Sequence, residues 1–287
     1  MEILLQQLFN GLTVGSIYSL VALGLTLVYG ILHIPNFAHG ALYMVGAYIT
    51  LTMMTYAGVH YVLAIIVSIF TIGLLSVLLE RLVFHPLRDS TPIQHKVAAI
   101  GMLLFLEALA QFIWGADYQQ MPTPFGSVVN VFGLTLTLQR IIIVVIAIVV
   151  MALLYLFLKK TFIGSSIIAM AQNREGAYLV GINANKVAMF TFFIAGGLAA
   201  IAASLTSPIN LVFPSMGHLV ILKAFVIIII GGMGSIPGAI LGGYILGFSE
   251  SMAATYISND YKDLIAFLLL IIILTIKPKG LFVRGTV

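Results

Sequence analysis

The sequence has no cysteine, a single tryptophan, and charged side chains at only 8% of its 287 positions. The missing cysteines exclude a disulfide framework and thiolate metal sites. The scarcity of charge excludes more, because a water-soluble domain carries about 25% charged residues. Hydrophobic residues make up 61% of the chain and the mean hydropathy is +1.16. Lipid must therefore be the solvent for most of this polypeptide. No stretch of soluble composition exceeds about thirty residues, too short for a domain of ordinary size. Residues 1–287 read as a single transmembrane domain.

Catalytic signatures are absent too. There is no Gly-x-x-x-x-Gly-Lys-[Ser/Thr] phosphate loop and no His-Glu-x-x-His pair of zinc ligands. The six histidines form no ligand cluster, and His33 and His39 are spaced so that one helix face cannot carry both. The glycine-rich run Gly231-Gly232-Met233-Gly234 does not match a dinucleotide fingerprint and follows no strand pattern. Its plainer reading is a helix break. No catalytic residue, metal site or cofactor is expected.

What is present is a series of long apolar runs. A helix crossing a hydrocarbon core of about 30 Å needs about 20 residues. Suitable runs fall near 9–30, 40–57, 61–79, 97–115, 139–158, 187–206, 219–234, 238–257 and 262–277. The first run follows Met1-Glu2 without a basic leader, so it reads as a retained span and not a cleaved signal. The runs at 40–57 and 219–234 are short and adjoin breaks, which suits half-helices or re-entrant segments. The expected fold is an all-α polytopic bundle of eight to ten spans.

The breaks have chemical causes. His33-Ile34-Pro35-Asn36 interrupts the first hairpin with a residue that lacks an N–H, and Ser235-Ile236-Pro237-Gly238 follows the glycine-rich break. Ser207-Pro208-Ile209-Asn210 and Pro214 interrupt the chain after the sixth run. Non-helical backbone at membrane depth is tolerated only against protein or water, so these sites point to a pathway. Ile34-Pro35 and Ile236-Pro237 are each followed by Gly-Ala and a later Tyr, a faint internal repeat.

Orientation follows from the basic residues. If the spans alternate and the 80–96 loop is cytoplasmic, that side holds Arg81, Arg88, Lys96, Lys159, Lys160, Arg174, Lys186, Lys277, Lys279 and Arg284. The other side holds Arg140 and Lys262. This asymmetry obeys the positive-inside rule and puts the C-terminal end in the cytoplasm. The net charge of +4 is thus an orientation signal, and no nucleic-acid partner is expected.

Ionisable residues inside the spans cost about 2.5–3.5 kcal/mol each on insertion scales and normally face protein or water. Glu107, Lys223 and Glu250 are such residues, and Lys223 and Glu250 fall at similar depth and can pair. They either hold helices in register or line a solute path. Asn36, His39 and Tyr43 flank the first break, where polar groups either recognise a solute or satisfy freed backbone. The glycines at 40, 46, 238, 242 and 243 suit close helix packing.

The longest cytoplasmic connection, 159–186, contains a short helix expected over 174–180, with Asn173 as its N-cap and Gly181 as its stop. Tethered to spans at both ends, it can dock in a groove of another protein or lie on the lipid surface.

The run Ala22-Leu23-Gly24-Leu25-Thr26-Leu27-Val28-Tyr29-Gly30-Ile31-Leu32-His33-Ile34-Pro35-Asn36-Phe37-Ala38-His39-Gly40 closely resembles the first-hairpin signature of LivH-type permeases of branched-chain amino acid ABC importers. Three more blocks agree in order: Ala171-Gln172-Asn173-Arg174-Glu175 through Gly181-Ile182, Leu222-Lys223-Ala224-Phe225 through Ala239, and Lys277-Pro278-Lys279-Gly280-Leu281-Phe282. The resemblance implies that Arg174, Glu175, Gly176, Ala177, Leu179, Gly181 and Ile182 form a coupling helix that docks on an ATPase. Gly176 departs from the family's common Glu-Ala-Ala and lowers helix propensity. The implied partners are a second, homologous permease, two cytoplasmic ABC ATPases and an extracytoplasmic solute-binding protein, in a bacterial inner membrane. The implied cargo is an amino acid, with urea and short amides as alternatives. An ion-coupled carrier using Glu107 or Glu250 is the rival from another class. A channel and a membrane enzyme are further rivals.

Overall fold

The structure, a computed structural model, describes residues 2–32, 36–88, 90–131, 134–278 and 280–282. His33, Ile34, Pro35, Lys279 and Arg284 lie outside the described residues. Each apolar run forms a helix: α1 (Glu2–Leu32), α2 (Ala38–Thr55), α3 (Tyr61–Leu79), α4 (Pro92–Trp114), α5 (Leu138–Lys160), α8 (Ala184–Thr206), α9 (Met216–Gly231), α10 (Ile236–Tyr256) and α11 (Lys262–Ile276). Two shorter helices, α6 (Phe162–Gln172) and α7 (Arg174–Leu179), lie between α5 and α8. Five helices are long and apolar enough to cross a membrane unaided: α1, α3 with its following turn, α4, α5 and α8. The pair α9–α10, bent by 118° at its break, adds a sixth if counted as one broken span. The expected eight to ten exceeds the five or six that length and apolarity alone establish among the described residues; α9 and α11, with 16 and 15 residues, are shorter than an unaided crossing needs.

Local chemistry sets the boundaries. Thr91 and Gln94 form a capping box at the start of α4, with Pro92 in the first turn. Ser235 caps α10 by accepting from the Gly238 N–H at 3.1 Å. Gly232 and Gly234 turn the chain at φ of 98° and 83°, backbone that a side chain would strain. α3 runs into a π-helical turn, Glu80–Phe84, in which buried Glu80 meets Arg88 at 3.3 Å. A small antiparallel hairpin, β1 (Val128–Val131) with β2 (Leu134–Thr137), departs from the all-α expectation, and it lies between α4 and α5.

α1 is the hub. It packs antiparallel on α10, and the seam is made of small residues: a Cβ on Gly11 or Gly15 would sit 2.9 Å from the Cα of Phe248 or Tyr244. Gly243 abuts Ser19, and Gly247 abuts Gly15. α8 makes a second seam, with Gly46 of α2 against Ala200 and Gly196 against the Ile72 carbonyl of α3. Polar side chains tie these helices at one end. Thr50 Oγ1 lies 2.6 Å from Ser204 Oγ, Tyr61 donates to the Ser204 carbonyl, and Gln139 donates to Tyr61 and the Leu205 carbonyl.

These contacts also resolve the direction of α1. Its first turns reach the α4–α5 connection, through Gln6 to the Thr135 carbonyl, and the first turn of α5, where Arg140 donates to Asn10. Its last turn meets α6, where Gly30 faces Ala171. The α4–α5 connection lies opposite the basic loops, so α1 enters from the outer side and ends at the cytoplasmic side. α2 returns outward parallel to α8, as the pairs Gly46–Ala200 and Thr50–Ser204 require. At the inner side, the Leu281 N–H donates to the Ile230 carbonyl at 2.8 Å and pins the tail to the end of α9.

Candidate translocation cavity and docking knob

Lys223 sits in the middle of α9 and Glu250 in α10, helices that return upon each other after the glycine break. The expected ion pair forms: Lys223 Nζ lies 3.0 Å from Glu250 Oε1 and 3.1 Å from Oε2. Two partners not foreseen complete the cluster. Tyr18 of α1 donates to Glu250 at 2.7 Å and accepts from Lys223 at 2.8 Å. Asp263, in the first turn of α11, lies 2.7 Å from Lys223 Nζ. One ammonium therefore serves two carboxylates, and four helices meet at that point.

The cluster forms one wall of a cavity of about 460 Å³, within the usual range for small-molecule sites. Val14, Ile17, Ile209, Leu219 and Val220 give it apolar surface, and Asn10, Thr13, Tyr43, Arg140, Thr206 and Lys262 give it polar surface. Asn10, Arg140, Thr206 and Lys262 all belong to the outer half, so the cavity leans toward the outer side. A second cavity of about 260 Å³ lies near the cytoplasmic end, between Tyr29 and Gly30 of α1, Ile168 and Ala171 of α6, and Gly234 in the break.

Of the residues expected along a path, the structure brings Tyr43, Lys223 and Glu250 to the large cavity. Asn36, His39 and Glu107 do not line it. Asn36 is buried and accepts from the Ala38 N–H at 3.1 Å, which satisfies the backbone at the start of α2. His39 is fully buried and donates through Nε2 to the Val21 carbonyl at 3.2 Å. Glu107 accepts from His218 Nε2 at 2.6 Å, which joins α4 to the start of α9. Among the described residues no group of three or more histidine, cysteine or acidic side chains is placed to hold a metal.

The 159–186 connection is more ordered than expected. Three side-chain caps start its helices: Thr161 accepts from Gly164, Asn173 from Gly176, and Asn183 from Asn185 and Lys186. The expected helix is α7, capped by Asn173 and stopped by Gly181 at φ 82°. The extra helix, α6, lies in a stretch whose serines and small residues hid its amphiphilic pattern. Ala177 is buried and anchors α7, whereas Leu179 and Val180 are 89% and 77% exposed. Glu175 and Gly181 are exposed, Arg174, Gly176 and Ile182 partly covered, and the Ile182 N–H donates to the Ala177 carbonyl. The result is a rigidly mounted knob with an apolar tip.

A bundle of apolar helices around a cavity with an ion-paired wall describes a class, the multi-pass membrane protein with an internal polar site. The family described as "Branched-chain amino acid transport system / permease component" matches residues 7–274, and the chain belongs to that family. The high-affinity branched-chain amino acid transport system permease protein BraD of Pseudomonas aeruginosa is 37% identical over 99% of this chain and 97% of its own length. The corresponding LivH protein of Escherichia coli K12 is 34% identical, over 99% of this chain and 96% of its own. Among solved structures, PsaBC from Streptococcus pneumoniae in complex with Fab has the same fold, with a TM-score of 0.51 at 11% identity, covering 97% of this chain and 93% of that one.

Proposed function

We propose that the chain is the membrane-spanning permease subunit of an ATP-driven importer of branched-chain amino acids in the bacterial inner membrane. The observation that carries this reading is near full-length similarity to permeases of such transport systems. Residues 1–287 act as a single permease domain. It forms the pathway with a second, homologous permease, receives solute from an extracytoplasmic binding protein, and is driven by two cytoplasmic ATPases.

The α7 knob is the part that meets the motor. Its apolar tip, Leu179-Val180 beside half-exposed Tyr178, is left largely uncovered by the described residues, and buried Ala177 with the Asn173 cap fixes its angle. Such a helix fits a groove and transmits rotation of the groove to α8 through the short 180–183 link. The sequence lacks a phosphate loop, so hydrolysis belongs to the separate subunits.

The test uses the importer reconstituted with its ATPases and binding protein. Leu179→Glu puts a charge on the tip and is expected to cut leucine uptake about tenfold or more while the permease still folds. Uptake should survive a protonophore and stop when ATP is depleted. Uptake that follows the proton gradient, with Leu179→Glu fully active, would replace this reading by an ion-coupled carrier.

A further inference from the structure

We propose that the 460 Å³ cavity is a transit site for a zwitterionic α-amino acid, and that Glu250 captures the solute's ammonium by exchanging partners with Lys223. This rests on the reading of the chain as an amino-acid permease and adds the site within it.

The charge count around Lys223 motivates the exchange. Lys223 Nζ contacts both Glu250 and Asp263, so either carboxylate can be released while the ammonium keeps the other. Asp263 is the closer, at 2.7 Å, and is 40% exposed, whereas Glu250 is buried. Glu250 lines the cavity, and a carboxylate left there alone would be costly. An incoming ammonium removes that cost. Tyr18 keeps its hydrogen bond to Glu250 throughout and holds the carboxylate in place.

The other end of the solute has a matching group. Arg140 also lines the cavity, and among the described residues no carboxylate lies within ion-pairing distance of it. Its observed partner is the neutral Asn10. A guanidinium with a neutral partner is free to take a carboxylate. Between these groups Val14, Ile17 and Val220 offer a wall for an aliphatic side chain. A fixed anion, a fixed cation and an apolar flank describe the complement of leucine more closely than that of urea or a neutral amide.

The experiment uses the complete importer in proteoliposomes, with the rate of leucine uptake expressed per assembled complex. The double variant Lys223→Met/Glu250→Gln removes the buried pair and leaves Asp263, which is 40% exposed, as the remaining charge of the cluster, so assembly is expected. Its maximal uptake rate should fall about tenfold or more, with unchanged KM and with ATP hydrolysis still stimulated by the binding protein. A purely structural pair would alter yield or melting temperature and leave the rate per complex intact. A fall of less than threefold overturns the proposal. If the double variant does not assemble, Arg140→Gln decides: an unchanged maximal rate overturns the proposal, and a tenfold loss supports it. A wild-type importer that takes up no leucine would instead refute the functional reading itself.

Discussion

α1 and α5 are both apolar helices, yet they live in different surroundings. The most apolar stretch of α1 has a mean hydropathy of 1.8 and is 83% buried, whereas that of α5 has 3.4 and is 33% buried. In water the order would be reversed. In lipid, apolar surface gains little by leaving the solvent, and helices associate through small residues and a few polar bonds. α1 therefore carries Gly11, Gly15 and Ser19 at its seam with α10, while α5 turns Val145, Ile148, Val149 and Leu153 outward. α8 follows α1, at 2.0 and 72%, and α3 follows α5, at 2.9 and 33%. α4 breaks the trend, with a hydropathy of 1.9 and only 22% buried. Its polarity comes partly from Glu107, whose carboxylate accepts a hydrogen bond from His218 of α9 at 2.6 Å.

The comparison is broken most forcefully at the α1–α10 seam. Gly247→Leu drives a side chain into the Gly15 backbone, which cannot yield as a side chain would. Overpacking of this kind costs about 3 kcal/mol. A sharp loss of detergent-solubilised protein and a lowered melting temperature should follow. An unchanged melting curve would mean that the seam is looser than described.

A middle-sized effect is expected at Gln139, the buried start of α5, which donates to Tyr61 and the Leu205 carbonyl. Gln139→Leu should cost about 1 kcal/mol, in line with hydrogen bonds between membrane helices. The smallest effect is expected on the lipid face of the same helix. Val149, half exposed, can become Leu with a change within about 0.5 kcal/mol in the same thermal assay. If Val149→Leu destabilised as much as Gly247→Leu, the division between seam and lipid face would fail.

Much of this was legible in the residues. Every apolar run became a helix because long apolar stretches with few charges have few alternatives in lipid. The Lys223–Glu250 pair was legible because two isolated charges at one depth need each other. α7 was legible from Asn173 and Gly181, which carry local signals. Other features were not. Tyr18 and Asp263 lie far along the chain from Lys223, and nothing local distinguishes Tyr18 from other tyrosines near membrane helices. Arg140 read as an outer-loop charge, and only the packing of α1 beside α5 turns it toward a cavity. Asn36 and His39 looked like recognition groups because polar residues at a break serve solute or backbone equally well, and their observed bonds go to the backbone.

The threading of the chain is the claim on which the cavity, the knob and their separate sides all depend. The absence of cysteine makes it directly measurable. Single substitutions Asn259→Cys, beside α11, and Leu179→Cys, at the knob, are probed in intact cells with a membrane-impermeant maleimide. Asn259→Cys should be labelled in intact cells, and Leu179→Cys only after the membrane is opened. Labelling of Leu179→Cys from outside would contradict it.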